Sequence, residues 1–131
     1  MAVKKRTVQH LATADRNRDI AWQLAQITNI QPSPTEWSVV VGFYAAVHYV
    51  NAFLWERLDY EPKSHQDRSR LVNLTAELRP IASSYTLLLD YAYKARYEPG
   101  FRLTRDDVID VLRNDVDGIA QHIRRELGLI P

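Results

Sequence analysis

The stretch that decides the fold runs from Glu36 to Leu58 and reads EWSVVVGFYAAVHYVNAFLWERL. Nearly every position between Trp37 and Trp55 is apolar or aromatic, so the segment has no continuous polar face. A surface helix shows one apolar stripe, whereas a helix that is apolar on all sides is enclosed by its neighbours. We therefore predict that this segment is the central helix of a helical bundle.

Only Ser38, His48 and Asn51 place strongly polar groups inside the apolar segment. His48 and Asn51 are three positions apart and share a helix face with Tyr44, one turn earlier, and Trp55, one turn later. A histidine there is either a general base or ligand contact, or a core side chain satisfied by its neighbours. The residues alone leave both readings open.

The length of 131 residues predicts one domain spanning residues 1–131, with a sizeable core. The net charge of +1 gives no overall electrostatic field that would attract nucleic acid or an anionic membrane. The lack of cysteine excludes disulfides and thiolate chemistry. No apolar run follows the basic start MAVKKRTVQH, so we expect a cytoplasmic protein without a signal peptide. The apolar segment carries His48 and Asn51, which favours a core helix over a membrane span. The histidines are scattered, so we expect no metal and no cofactor.

Helix signals occur along the whole chain. We expect residues 1–6 to be disordered and a first helix over about 7–28. Ser33 as N-cap, Pro34 at the first helical position and Glu36 as a capping-box partner predict the start of the central helix. Gly42 inside that helix predicts the close approach of a neighbouring helix.

Ser64 predicts a third helix over about 65–78, and Pro80 separates it from a fourth over about 81–97. Thr104 predicts the cap of a last helix. No segment shows strand alternation. The prediction is an all-α, antiparallel up-and-down bundle of four to five helices.

The segment SHQDR contains Ser64, His65 and Arg68. His65 lies in the first turn of a helix, where free backbone N–H groups attract anions, and Arg68 follows one turn later. A phosphate site and a purely structural set of caps and ion pairs with Asp67 or Glu61 explain these residues equally well.

The segment YKARY contains Lys94, Arg96 and Tyr97. Arginine beside aromatic rings is a recurring way to hold a nucleotide base or an RNA strand. The alternative is an ion pair between Asp90 and Lys94, with an arginine that complements the helix dipole.

FYAAVHYVNAFL, SHQDR and YTLLLDYAYKARY, in this order, resemble the helices of the HEPN superfamily. The resemblance implies an antiparallel helical bundle, a homodimer, and a role in RNA processing, toxin–antitoxin pairs or phage defence. Many members are metal-independent ribonucleases that use arginine, four to six intervening residues, then histidine. No pair here has that spacing. The nearest pairs are Arg6 with His10, Arg57 with His65, and Arg113 with His122.

We therefore expect a HEPN-like binding domain rather than an enzyme, acting on RNA or a nucleotide, or pairing with a co-encoded nucleotidyltransferase or antitoxin. In this hypothesis His65, Arg68 and Arg96 contact phosphate or an acidic partner, and Tyr97 stacks. His48 and Asn51 organise the pocket from beneath. One alternative is a divergent metal-independent ribonuclease, with His48 or His65 as base and Arg68 or Arg96 stabilising the charged intermediate. Another is a helical module that only dimerises.

Overall fold

The computed structural model describes residues 2–30 and 34–131, and the ordered elements of this part are all helical. A 3-10 segment, Ala76–Ile81, links the third and fourth helices, and a π-helical turn, Leu112–Val116, joins the last two into one continuous rod. The predicted all-α bundle of four to five helices is therefore confirmed. The helices are α1 Lys5–Ala25, α2 Thr35–Leu58, α3 His65–Leu74, α4 Ala82–Tyr97, α5 Arg105–Val111 and α6 Asp117–Glu126.

Helix α2 is the centre of the bundle, as its sequence predicts. Fifteen of its 24 residues are buried, and α1, α4, α5 and α6 all pack against it. One continuous core results, and its apolar side chains supply the main driving force for folding. The largest fully buried side chains are Tyr49, Tyr85, Phe43, Phe53, Leu54, Leu78, Leu88, Leu112, Ile119 and Ile123.

Helices α1 and α2 run antiparallel and approach closely because small residues line their contact. Ala14, Ala21 and Ala25 of α1 are fully buried. The Ser38 hydroxyl donates a hydrogen bond of 2.7 Å to the backbone oxygen of Ala21. This bond satisfies a polar group that is fully buried in the first turn of α2.

Gly42 marks the place where the last rod crosses α2. A Cβ atom at this position would lie 3.0 Å from Val116 Cγ2 and 3.1 Å from Leu112 Cδ2. Both neighbours belong to the π-helical turn and are fully buried. The predicted close approach of another helix at Gly42 is therefore confirmed.

Two helix starts follow the predicted capping chemistry. Ser64 Oγ accepts a hydrogen bond of 3.0 Å from the backbone N–H of Asp67. Thr104 and Asp107 form a reciprocal capping box at the start of α5. Ser33, predicted as the N-cap of α2, lies outside the described residues, and Pro34 precedes α2 where we expected it to be the first helical residue.

The prediction that residues 1–6 are disordered is wrong for residues 4–6, since α1 begins at Lys5. The Lys4 ammonium donates to the backbone oxygens of Trp55 at 3.3 Å and Glu56 at 3.0 Å, and it pairs with Asp59. A cation at the carboxyl end of a helix is stabilised by the helix dipole and by the free carbonyl groups there. These contacts fix the start of α1 against the end of α2.

Helix α2 is the one helix of the described ranges that is long and apolar enough to cross a membrane, with a mean hydropathy of 1.4. However, 78% of that apolar window is buried inside the bundle. The apolar surface of α2 is therefore covered by protein, as in the core helix of a soluble domain.

Candidate functional site

A groove of about 450 Å³ runs along one side of α4, next to the start of α3. It holds the imidazole of His65 and the guanidinium of Arg96, two of the residues singled out from the sequence. The residues that line it are His65, Thr86, Leu89, Asp90, Tyr93 and Arg96.

Arg96 is held in place at the groove by contacts with two helices. Its Nε donates to the backbone oxygen of Ala92 at 2.9 Å, and its Nη1 donates to the hydroxyl of Tyr44 at 3.1 Å. The guanidinium carbon also lies 5.2 Å from the ring centre of Tyr97, within cation–π range. A partly exposed arginine is thus preorganised between two phenol rings.

Two exposed tyrosines extend this surface along α4. Tyr93 is 54% exposed and Tyr97 is 63% exposed, and their ring centres lie 5.1 Å apart. Exposed rings beside a fixed arginine offer flat faces for a planar partner. Lys94 pairs with Asp90 at 3.1 Å, so the ion pair considered from the sequence is confirmed.

Arg68 lies below the groove and does not reach its surface. It is only 6% exposed, and its Nε donates to Asn51 Oδ1 at 2.9 Å, while Nη2 donates to the backbone oxygen of Pro62 at 3.3 Å. The prediction that Arg68 contacts phosphate directly is therefore wrong, because burial and protein partners occupy the guanidinium. Asn51 accepts the hydrogen bond from Arg68 Nε at a buried position of α2, and its role in supporting a binding site stays a prediction.

His65 stands between the buried and the exposed arginine. Its Nδ1 lies 3.2 Å from Nη1 of Arg68, and its ring packs 5.3 Å from that of Phe43. Burial, followed by the charges of Arg68 and Arg96, lowers the pKa of His65 below its ordinary value. His65 is therefore neutral near pH 7 and acts as a hydrogen-bonding group without a charge.

A second group of polar side chains, here named the histidine cluster, consists of Arg6, His10, His48 and Glu61. The Nδ1 atoms of His10 and His48 face each other at 3.0 Å. His10 Nε2 bonds the Glu61 carboxylate, which Arg6 also binds through Nη2 at 2.8 Å. The cluster joins α1, α2 and the loop before α3, and His48 is its partly exposed end.

The histidine cluster has the geometry of a proton relay. Glu61 accepts the proton of His10 Nε2–H, so His10 Nδ1 accepts from His48 Nδ1–H, and Nε2 is the basic nitrogen of His48. Burial, then the charges of His10 and Arg68, lower the pKa of His48, so its neutral form is favoured. The hydrogen bond from Arg6 is the main cause that lowers the pKa of Glu61, which stays an anion.

The predicted cluster is therefore divided between two places. His65 and Arg96 meet at the groove, with Tyr97 beside Arg96, whereas His48 turns toward α1, so its predicted place under the groove is wrong. The contact between His10 and Glu61 was missed. His10 had a usable signal, because it lies on the inner face of α1 with Thr7 and Ala14, seven positions apart and both buried. Glu61 was considered as an ion-pair partner for SHQDR, but it pairs with Arg6 and His10 instead.

No group of three or more histidine or acidic side chains suited to a metal ion occurs within residues 2–30 and 34–131. Two further grooves contain none of the predicted binding residues. One of them, of about 780 Å³, is lined by Asn73, Arg79 and Tyr91 and shares Thr86 and Asp90 of α4 with the groove beside His65. The groove beside His65 and Arg96 is thus the place where the candidate residues meet.

No family model matches this sequence, and no curated protein matches it. The function has to be argued from the groove and the histidine cluster themselves.

Proposed function

We propose that this chain is a HEPN-like, cytoplasmic binding domain that holds an RNA strand or a nucleotide in the groove beside α4. One observation carries the proposal. Arg96 is fixed by Ala92 and Tyr44, lies over Tyr97, and opens into the groove that His65 also lines.

Each part of this arrangement suits a nucleotide. A base would stack on the exposed ring of Tyr97 or Tyr93, and stacking of this kind contributes about 1–3 kcal/mol per base. Arg96 would contact the backbone phosphate or extend the stack with its planar guanidinium. The net charge of only +1 means that binding depends on this local arrangement and not on a basic surface.

Fluorescence anisotropy with a labelled single-stranded RNA of about eight nucleotides tests the proposal. We expect Tyr97→Ala to weaken binding by roughly 1–3 kcal/mol, the contribution of one stacked base. Contact with one or two phosphates predicts an affinity loss of about threefold to sevenfold between about 50 mM and about 200 mM salt.

The matched control is Arg113→Ala, which removes an exposed arginine that lies in the π-helical turn of the last rod and does not line the groove. It should bind RNA like the wild type, whereas Arg96→Ala should not. Equal losses in both variants would show that general charge, and not the groove, is responsible. Absence of binding of both RNA and mononucleotides by the wild type would refute the proposal.

A metal-independent ribonuclease is the second candidate function, and the histidine cluster is the observation that favours it. His48 could accept the proton of a ribose 2′-hydroxyl while His10 and Glu61 orient and stabilise the resulting imidazolium. Incubation of the protein with mixed RNA in EDTA tests it. Cleavage that is lost in both His48→Gln and His10→Gln would establish an enzyme, and intact RNA would exclude this candidate.

We further propose a homodimer, with a co-encoded nucleotidyltransferase or antitoxin as a possible partner, because the resemblance to HEPN proteins implies such assemblies. Exposed apolar side chains such as Trp37 and Leu74 are available for contacts of this kind. Light scattering on purified protein distinguishes monomer from dimer. A dimer that binds neither nucleotide nor RNA would support the module that only dimerises.

A further inference from the structure

Arg68 is a buried cation that has no acidic partner. Its three hydrogen-bond partners, Asn51, Pro62 and His65, are neutral, and no carboxylate of residues 2–30 and 34–131 lies within 4.0 Å of it. The acidic side chain whose pKa responds to Arg68, Asp67, is already bound by Tyr60 and Arg70. Isolated buried charges are strongly disfavoured in proteins unless an anion compensates them.

The contact with Arg68 also fixes the proton on His65. An arginine side chain can only donate hydrogen bonds, so His65 Nδ1 must be the acceptor in the 3.2 Å contact. The single proton of the neutral ring is then on Nε2. The low pKa of His65 agrees with this form, because an imidazolium would carry a proton on Nδ1 as well. His65 thus presents an N–H donor, held in one tautomer, beside Arg96 at the groove.

Arg96 supplies the second donor. Its Nε and Nη1 are bound to Ala92 and Tyr44, while Nη2 has no hydrogen-bond partner in the part of the chain that the structure describes. The groove's one carboxylate, Asp90, pairs with Lys94. The positive charges of Arg68 and Arg96 both act on His65, as the lowered pKa of its ring shows. The groove therefore combines two oriented donors with positive charge that the protein leaves uncompensated.

We propose that His65 Nε2 and Arg96 Nη2 form an anion subsite of the groove that binds a phosphate group, with buried Arg68 supplying uncompensated charge from below. The inference rests on the proposed function, because it names the part of a nucleotide that this end of the groove recognises. Arg68 acts here as a positioning residue that never touches the ligand. The phosphate belongs either to a free nucleotide or to an RNA backbone.

Isothermal titration calorimetry of the full chain with AMP, with adenosine and with inorganic phosphate tests the subsite. We expect AMP to bind about tenfold more tightly than adenosine, a difference of about 1.4 kcal/mol. Arg96→Gln should remove most of this preference, and Arg113→Gln, at a position that does not line the groove, should keep it. A short RNA that binds at least as tightly as AMP would assign the phosphate to the RNA backbone, and weaker binding would assign it to a free nucleotide.

A measurement on the wild-type protein avoids any dependence on how the variants fold. Long-range proton–nitrogen NMR of the histidine rings should show the Nε2–H tautomer for His65, and phosphate should shift its resonances. The opposite tautomer would overturn the subsite. Equal affinity for AMP and adenosine would also overturn it but leave the proposed function intact. If AMP, adenosine and the short RNA all fail to bind, both proposals are wrong.

Discussion

The histidine cluster predicts a stability that depends on pH. The pKa of His48 in the folded protein lies below its ordinary value of 6.5, because of burial and the charges of His10, Arg68 and Arg6, which outweigh that of Glu61. At pH values between the pKa of His48 in the folded protein and its pKa in the unfolded chain, the unfolded chain binds more protons than the folded protein. The contribution of neutral His48 to the free energy of unfolding is therefore fully present above about pH 6.5, and it is lost as the pH decreases below that value.

The contacts set the size of this effect. His48 Nδ1 already donates its proton to His10 Nδ1, so a further proton goes to Nε2 of His48, and the resulting cation is partly buried and lies near the charges of His10, Arg68 and Arg6. One additional proton bound by the unfolded chain changes the free energy of unfolding by at most about 1.4 kcal/mol for each pH unit. His48 is partly exposed, so the observed slope should be smaller than this limit.

Urea denaturation from about pH 7.5 to about pH 5.5 measures this slope, above the range in which Glu61 titrates. His48→Gln keeps a donor and an acceptor for His10 but cannot be charged. We expect a shallower dependence on pH for this variant than for the wild type, with the remaining slope due in part to His65. Parallel curves for the two proteins would refute the assignment of the effect to His48.

Three further predictions concern the bundle itself, and thermal or chemical denaturation measures each of them. Gly42→Ala should be at least about 1 kcal/mol less stable than Gly118→Ala, because overpacking against buried side chains costs about 1–3 kcal/mol, whereas nothing lies near a Cβ at Gly118. Equal stabilities of the two variants would mean that the last rod shifts to accommodate the added methyl group at little cost. Thr104→Ala should lose about 1 kcal/mol with the capping box that Thr104 forms with Asp107, and an unchanged stability would show that α5 does not need its cap. Lys4→Ala should increase amide hydrogen exchange at the start of α1 and leave the rest of the bundle protected; unchanged exchange there would contradict the anchoring role of Lys4.

The sequence was most informative where the physical signal was local. The apolar run of α2 and the caps at Ser64 and Thr104 depend on spacing within one helix, and the structure confirms them. The close approach at Gly42 followed as well, because a glycine inside a buried helix needs a neighbour close enough to exclude a side chain.

The face that α1 turns inward could not be predicted in the same way. Helical apolar spacing favours inward positions for Val8 of α1 and Leu74 of α3, yet these side chains are 50% and 63% exposed. Thr7 and His10 take the inner positions of α1, because Glu56 and Glu61 offer them hydrogen bonds there. Apolar periodicity cannot detect a buried face made of polar residues whose partners are distant in the sequence.

The arrangement of the candidate site also depends on contacts between residues that are distant in the sequence. Tertiary contacts that no sequence pattern shows bring His65 and Arg96 together at the groove and place Arg68 beneath it. The buried position of Arg68 depends on Asn51, 17 residues earlier in the chain, and on the backbone oxygen of Pro62. The residue types in SHQDR and YKARY therefore indicated a polar, cationic site, but not which side chains line the groove and which are buried beneath it.

Amide NMR mapping with a short single-stranded RNA tests the central claim, binding at the α4 groove, most directly. We predict that resonance changes concentrate at His65, Tyr93, Arg96 and Tyr97 and saturate as RNA is added. Changes centred on another face, or a spectrum that neither this RNA nor AMP alters, would show that the groove is not a nucleotide-binding site.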